Sequence, residues 1–521
     1  MAPRFCARSA FWCVAALIAA CQILPPGYDG QDHAHRIVAL ADQVRAGAPG
    51  LLIEDRATGS LLPVFVYYSL LPYLPSLLLN LAGLPAFVAL KLVAAVALLV
   101  LASGVQALIA RLPDERHQPA HLAGIVFLCA NYVVGLWIYR VALAEIWAYA
   151  LVPWVVAALL QGRRLLLFGL LLAQLSAHPI VFGHALLAEL PIALVIDRRL
   201  ARAGLPALLA ALLVSAPFWL PQMLWNDFIL GTSGLPVRFA DTFFTLSELV
   251  TPLQPQTLGI WLPLAVVLML VLGGRTRPTG VWLLTAACVA TLAIQTRPLL
   301  ALAESMPLLS QSLFVWRLMF PAAVLGFAAL ALGWPIVRRR VLQVLTLLSV
   351  VTIAIAMASE LPGSIAFWSS GAVDDAVARR QYVDTVQGWG VREYAPNYAR
   401  LPSACDIAPS ELQEISVAEL RRGLRASTPH LSVRGAPYGM VTYLADGTEL
   451  IPRACGDSLR LGPVRAGAEI RMSEARLDQL LLLRLAVIVV MSGALIAGFS
   501  PRRRYGMHRC LSCHPATRAW K

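Results

Sequence analysis

The sequence has almost no lysine and little charge of either sign. Lys91 and Lys521 are the lysines of a chain of 521 residues, in which 14% of residues are charged and 59% are hydrophobic. A mean hydropathy of +0.70 excludes an ordinary soluble globular protein. Apolar runs of about 18–22 residues recur along the chain, and each is long enough to cross a bilayer as a helix. The composition therefore predicts an all-α polytopic membrane protein.

Counting the apolar runs predicts about twelve transmembrane helices, since a helix rises about 1.5 Å per residue and the hydrocarbon core is about 30 Å thick. The predicted spans are residues 9–24, 87–109, 120–138, 144–161, 165–177, 180–196, 204–222, 257–272, 279–295, 313–334, 341–358 and 481–499. Arginine clusters precede the first span and fall in every second connection, as at Arg111 and Arg116, Arg163 and Arg164, and Arg338 to Arg340. The positive-inside rule makes that side cytoplasmic, so both termini are predicted to be cytoplasmic. The net charge of +13 is then a topology signal, and we expect no nucleic-acid partner.

The sequence contains no internal repeat relating its two halves, which argues against a transporter built from repeats. At the N-terminus, the run FWCVAALIAACQ leaves two interpretations open. It is either a first span that remains in place or a signal sequence processed at Cys21, as in a lipoprotein. Processing would leave eleven spans and remove the anchor just before the first polar loop.

Three regions interrupt the helical pattern. Residues 25–86 join a polar stretch to a Pro- and Tyr-rich segment, which we interpret as interfacial or re-entrant on the outer face. Residues 223–256 form an outer loop, and residues 359–480 turn polar with short alternating runs that predict a small β-rich extracytoplasmic domain. The predicted units are thus a membrane core of 1–358, an outer domain of 359–480, a last span of 481–499 and a cytoplasmic basic tail of 500–521.

The cysteines of the outer domain and of the tail have different expected roles. Cys405 and Cys455 are the two cysteines of residues 359–480, and outside the cytoplasm such a pair favours a disulfide. The tail carries Cys510-x-x-Cys513-His514, the form of a c-type haem attachment site. A cytoplasmic location does not suit haem attachment, so a metal knuckle and an unstructured basic tail remain the alternatives.

The polar stretch after the first span carries the main candidate site. It includes Asp29, Asp32, His33 and Arg36, and it predicts a helix from Gly30 to Gly47 with Asp29 as its N-cap. On such a helix the side chains of Asp32, His33 and Arg36 share one face, and Asp29 lies at its start. A carboxylate can deprotonate a hydroxyl group or bind a divalent cation, and an arginine suits a phosphate group. His33 and Arg36 are therefore candidates for contact with a lipid phosphate. The alternative is a solvated amphipathic helix, in which each ion pair contributes about 0.3–0.5 kcal/mol.

Other polar residues are expected at the same outer end of the bundle. Arg140 and Glu145 flank the ends of the third and fourth spans, either as a phosphate ligand and a second acid or as an interfacial ion pair. Lys91 either binds a lipid phosphate or extends to the headgroups. His178 and Arg317 are further candidates for phosphate binding, with a buried core histidine as the alternative for His178.

These residues occur in short motifs that resemble a known group of bacterial membrane proteins. The stretch GYDGQDHAHRIVALADQVRAG resembles the G-H-D-x-x-x-H-x-x-R opening of GT-C-type proteins, including the "6-pyruvoyl-tetrahydropterin synthase-related" membrane proteins and the YfhO-like proteins. Asp29, His33 and Arg36 occupy its positions, and Tyr28 replaces the usual histidine. The later motifs that fit are VFVYYSLLPYLPSLL, YRVALAEIWA, SAHP with one inserted alanine, Trp316-Arg317-Leu318 and REYAPNYA.

The resemblance implies a GT-C-like fold and sugar transfer at the outer face of the bacterial cytoplasmic membrane. The donor would be a polyprenyl-phosphate-linked sugar, and the acceptor a glycan, lipid or protein of the cell envelope. An acidic residue in the first outer loop is essential in GT-C enzymes, which makes Asp29 the candidate general base or ligand of Mg²⁺ or Mn²⁺, and Asp32 its runner-up. The pterin-synthase activity is not implied, because the zinc-binding histidines of that soluble enzyme are missing.

Two other functions remain open at this stage. A flippase or transporter of a lipid-linked sugar is compatible with twelve spans, but transporters concentrate polar groups near the midplane of the bilayer. Here Glu189 is the clear deep acid, while the other candidates gather at one face. The third possibility is a non-catalytic membrane scaffold that presents the outer domain to partners in the cell envelope.

Overall fold

The structure is a computed structural model that describes most of the chain. It covers residues 2–24, 28–47, 49–55, 60–229, 238–249, 251, 256–272, 278–306, 314–335, 338–369, 375, 401, 405, 407, 411–434, 436–437, 439–455 and 458–500. The motif REYAPNYA and the cysteines of the tail lie outside the described residues.

Most described residues are helical. The helices, numbered along the chain, are α1 Ala2–Ala20, α2 Tyr28–Arg45, α3 Val64–Tyr67, α4 Leu74–Leu81, α5 Ala86–Ile109, α6 Asp114–Leu128, α7 Asn131–Val134, α8 Leu143–Ala150, α9 Val152–Leu160, α10 Arg164–Ala177, α11 Pro179–Ile196, α12 Arg198–Val214, α13 Ala216–Leu224, α14 Leu246–Leu249, α15 Trp261–Leu272, α16 Thr279–Ala293, α17 Leu300–Glu304, α18 Met319–Gly333, α19 Arg339–Ser369, α20 Val417–Arg422 and α21 Ala475–Phe499.

Several of these helices suit a membrane. Among the described residues, six helices are long and apolar enough to cross a bilayer, or up to eight if each of two bent pairs counts as one span. The bent pairs are α6 with Asn131–Arg140 and α12 with α13. Other predicted spans coincide with shorter apolar helices, such as α10, α15 and α16. The chain is therefore a multi-helix membrane protein, and twelve spans and their orientation stay predictions.

The helical core is built around α18, which lies among α6, α11, α15 and α16. Nearly all of its side chains are buried, from Met319 to Leu332. Phe320 stacks on Tyr149 of α8 with ring centroids 4.2 Å apart. Because such a helix is apolar all round, its preferred position is the centre of the bundle. Arg317 lies in a 3₁₀ turn, Val315–Leu318, that leads into α18. The buried helix therefore fixes the position of Arg317.

The Pro- and Tyr-rich segment forms short elements instead of a straight span. Strands β1 Ile53–Asp55 and β2 Ser60–Leu62 pair as an antiparallel hairpin, and α3, a 3₁₀ turn and α4 follow. Proline lacks the N–H that continues a helix, which accounts for breaks near Pro63 and Pro72. Arg484 of α21, 1% exposed, fixes the segment by donating to the carbonyl oxygens of Phe65, Val66 and Pro217.

Between α19 and α21, the described residues form two four-stranded sheets. The strands are β3 Leu412–Ile415, β4 Leu424–Arg425, β5 His430–Arg434, β6 Thr442–Ala445, β7 Thr448–Leu450, β8 Arg453–Cys455, β9 Ser458–Leu461 and β10 Glu469–Ser473. The sheet orders are β4-β10-β6-β7 and β3-β5-β9-β8, in which only the β3–β5 pair is parallel. A disulfide joins Cys405 to Cys455, with Cα atoms 5.0 Å apart.

Candidate active site

The site begins at a strained turn that follows α7. α6 and the segment Asn131–Arg140 meet at 57°, and the part Gly135–Arg140 is wound as a π-helix. Val141 then has a φ of 50°, a left-handed conformation that costs a β-branched residue about 1–3 kcal/mol. Such strain persists where surrounding contacts impose it. Arg140 is the last residue before Val141, and Glu145 lies in the first turn of the helix that follows, α8.

Two buried side chains from other helices hold this turn. The end of a helix leaves carbonyl groups without helical partners, and these need donors when they are buried. Nε2 of Gln22 donates to the carbonyl oxygen of Trp137 at 3.0 Å, and Nζ of Lys91 donates to that of Ile138 at 2.8 Å. Both contacts fix the backbone that carries Arg140.

Lys91 lies inside the helical bundle. Its side chain is buried, at 3% exposure, and in the part of the chain that the structure describes its ammonium group contacts none of the other candidate residues. The ammonium group donates a hydrogen bond to the carbonyl oxygen of Ile138 at the π-helical turn. Lys91 thus holds the backbone of this turn, and its contact with a lipid phosphate stays a prediction.

Asp29, Arg140, Glu145 and Arg317 form a continuous ion network. Nε and Nη2 of Arg140 both donate to Oδ2 of Asp29, at 2.9 and 2.7 Å. Nη1 of Arg140 lies 3.3 Å from Oε2 of Glu145, and Nε of Arg317 donates to Oε1 of Glu145 at 2.8 Å. The carbonyl oxygen of Arg317 accepts from the hydroxyl of Tyr149, which aligns this residue with α8. Two carboxylates and two guanidinium groups make the network neutral.

Exposure separates the two carboxylates of this network. The side chain of Glu145 is 1% exposed and lies between two guanidinium groups, whereas the side chain of Asp29 is 39% exposed. Both contacts of Arg140 with Asp29 use Oδ2, so Oδ1 is left without a hydrogen-bond partner among the described residues. Asp29 can therefore meet a ligand from outside, and Glu145 serves as the buried counter-ion.

A second cluster lies along the same helix, α2. Nδ1 of His33 is 2.5 Å from the hydroxyl of Tyr73, which also accepts from Nη1 of Arg36 at 3.2 Å. The guanidinium carbon of Arg36 lies 4.6 Å from the ring centroid of Tyr68, a cation–π distance. His33 and Arg36 are 2% and 6% exposed. They turn inward against the two tyrosines, so the sequence-based expectation that they contact a lipid phosphate would require this packing to open.

Charged residues of both clusters act on the pKa of His33. Burial, and then the positive charge of Arg36, lower the pKa of His33 well below 6.5. The charges of Glu145 and Arg140 also act on it, in opposite directions. The imidazole is therefore neutral at physiological pH.

His178 and Asp32 lie at the edges of this arrangement. Nδ1 of His178 accepts from the backbone N–H of Val181 at 3.4 Å, so the residue caps α11, and its ring centroid lies 5.7 Å from that of Tyr68. Asp32 is half-buried one turn after Asp29, within electrostatic range of Tyr73. α2 begins at Tyr28 and ends at Arg45, so Asp29 lies in its first turn instead of capping it, where a carboxylate still interacts favourably with the helix dipole.

The residues that sequence reasoning missed are neutral polar partners. Tyr68 and Tyr73 stand out in the sequence as interfacial aromatics, but nothing there indicates that they would face α2. Gln22 is a single polar residue at the end of an apolar run, which is a usable signal for a buried hydrogen bond. Deeper in the bundle, Gln174 donates to Glu189 at 2.9 Å and to a backbone carbonyl, apart from the ion network.

The described residues contain no group of three or more His, Cys, Asp and Glu side chains that could together hold a metal ion. A divalent cation at Asp29 would take its remaining ligands from phosphate oxygens and water, as Mg²⁺ commonly does. Asp29 fits that role through Oδ1.

Comparisons with known proteins give one distant likeness. No family model matches the sequence, and no curated protein matches it. Among solved structures, the chain is similar to the arabinofuranosyltransferase AftD from mycobacteria, at 14% sequence identity and a TM-score of 0.41. The match covers 88% of this chain and 40% of the AftD chain. A likeness at this level does not define an activity, so the function rests on the site.

Proposed function

We propose that this chain is a glycosyltransferase that moves a sugar from a polyprenyl-phosphate-linked donor to a cell-envelope acceptor, with Asp29 as the general base. The observation that carries the proposal is the asymmetry of the ion network. Asp29 is 39% exposed and its Oδ1 has no hydrogen-bond partner among the described residues, while Glu145 is buried and holds Arg140 beside it. The motif resemblance and the predicted outward orientation of this end of the bundle agree with it.

Each residue of the network has a role in the proposed reaction. The acceptor hydroxyl gives its proton to Oδ1 of Asp29 while its oxygen forms a bond to the anomeric carbon. The bond from that carbon to the phosphate oxygen breaks, and the electron pair leaves with the polyprenyl phosphate. Arg140 stabilises the negative charge on the leaving phosphate, because a guanidinium held in place is preorganised for an anion. Arg317 acts indirectly, because it holds Glu145 and Glu145 orients Arg140.

Arg140 limits the strength of Asp29 as a base, because a guanidinium contact stabilises the ionised carboxylate. Donor binding relieves this limit if the phosphate draws Arg140 away from Oδ2. Asp29 then meets the acceptor with less of its charge neutralised. If a divalent cation is used, Oδ1 of Asp29 would hold it in place of acting as the base, and the cation would supply charge stabilisation at the same phosphate.

The test is sugar transfer from a panel of polyprenyl-phosphate sugars in proteoliposomes. Wild type is compared with Asp29→Asn and with Asp42→Asn, a control on the same helix whose carboxylate lies near Arg45 and away from the network. The proposal expects transfer by wild type and by Asp42→Asn but not by Asp29→Asn. Movement of the lipid across the bilayer without chemical change would favour a flippase, and loss of the cellular phenotype only on deletion of the outer domain would favour a scaffold.

A further inference from the structure

A deep apolar crevice lies far from the ion network. It has a volume of about 290 Å³ and runs between the ends of α5, α9, α11 and α18. Its walls are formed mainly by apolar side chains, among them Ile109, Leu160, Ile192, Val324, Phe327 and Ala331. Along α18, the lining from Val324 to Leu332 spans about 12 Å at about 1.5 Å per residue.

The crevice opens at the end of the bundle opposite Asp29. Arg317 precedes α18 and contacts Glu145, whereas Ala331 lies 14 residues further along, about 21 Å away on the helix axis. Arg111 follows the end of α5, and Asp197 and Leu200 lie where α11 meets α12. The mouth thus belongs to the face whose arginines predict a cytoplasmic location.

The charges at the mouth favour an anion. Asp197 caps the N-terminus of α12, and its Oδ1 accepts from the backbone N–H groups of Arg199 and Leu200 at 2.8 and 3.4 Å. The guanidinium of Arg111 makes no hydrogen bond or ion pair with any residue in the described part of the chain. Arg198, Arg199 and Arg202 follow the cap and add further positive charge near the mouth.

The apolar walls make water a poor occupant. A bound water needs two to four polar partners, and the apolar side chains of these walls supply none. A hydrocarbon chain meets no such cost. We propose that the crevice binds one acyl chain of an anionic phospholipid of the cytoplasmic leaflet, with the lipid phosphate on Arg111. This lipid site is independent of the proposed sugar transfer.

The experiment measures lipid binding to the purified full-length protein by native mass spectrometry. Phosphatidylglycerol and phosphatidylcholine with identical acyl chains are compared at equal concentration. The expected preference for phosphatidylglycerol is about fivefold, which corresponds to about 1 kcal/mol for one arginine near an anionic headgroup. Arg111→Gln should abolish the preference, while Arg164→Gln, a control at an exposed arginine of the same end, should retain it. Equal binding of the two lipids to wild type, or equal behaviour of the two variants, would overturn the proposal.

A second measurement tests the depth of the site. Phosphatidylglycerol carrying a photoreactive group in its acyl chain should label the segment 324–332 of α18 in the wild-type protein. Ala331→Trp, which fills the crevice, should reduce that labelling at least fivefold. Labelling confined to other helices would show that the acyl chain does not enter the crevice.

Discussion

Replacing Glu145 with glutamine should destabilise the protein far more than its small chemical change suggests. Glu145 is 1% exposed and accepts from Arg140 and Arg317, with the shortest contact at 2.8 Å. Glu145→Gln removes the negative charge while the buried guanidinium groups remain, and breaking a buried ion pair in this way costs about 3–5 kcal/mol. Because the glutamine oxygen still accepts one hydrogen bond, we expect the lower end, about 3 kcal/mol.

The assay is an unfolding titration with SDS in mixed micelles, followed by circular dichroism. A loss of about 3 kcal/mol changes the unfolding equilibrium constant by more than about a hundredfold. The matched control is Glu304→Gln, the same change at an exposed residue at the end of α17, which should stay within about 0.5 kcal/mol of wild type. If both variants unfold alike, Glu145 is not the buried counter-ion of the network.

Three further predictions concern the surroundings of the network. His33 is held neutral in the folded state, whereas the ring in the unfolded chain protonates below about pH 6.5. The contribution of His33 to the unfolding free energy is therefore full above that pH and falls by up to about 1.4 kcal/mol per pH unit below it. A pH series of unfolding titrations should show a shallower acid slope for His33→Gln, and identical slopes would contradict the assignment. Gln22→Leu removes the donor to the carbonyl of Trp137 and should cost about 1–3 kcal/mol and lower sugar transfer, whereas unchanged stability and transfer would mean that the turn needs no such support. Arg484→Leu leaves the carbonyls of Phe65, Val66 and Pro217 without their donor, so it should cost at least about 2 kcal/mol and speed hydrogen exchange in α3. Exchange as slow as in wild type would show that Arg484 does not hold this segment.

The sequence predicted that the candidate polar residues lie at one end of the bundle, but not which of them meet or how they divide their roles. Alternating apolar runs put Asp29, Arg140, Glu145 and Arg317 at the same end of the bundle, and the structure brings all four into contact. The burial of Glu145 between two arginines depends on the packing of α8 against the start of α18, which are 172 residues apart at this contact. Local sequence pattern carries no information on such a distant pairing.

The orientation of single side chains was the other feature that the sequence did not predict. His33 and Arg36 share a helix face with Asp29, yet they are buried because Tyr68 and Tyr73 pack behind that face. Lys91 serves a π-helical turn, and that turn has no signature in the residues that form it, GLWIYR. Breaks in helices near proline were easier to anticipate, because the missing N–H acts locally.

The most direct test of the account separates donor binding from chemistry at Asp29. The dissociation constant of the polyprenyl-phosphate sugar and the rate of transfer in a single turnover are measured for wild type and Asp29→Asn. If Asp29 is the base, Asp29→Asn should bind the donor as tightly as wild type or more tightly, since Arg140 loses a competing carboxylate, and its transfer rate should fall by about 10²–10⁴-fold. Transfer at the wild-type rate, or a loss that lies entirely in donor affinity, would contradict the role of Asp29 as the base.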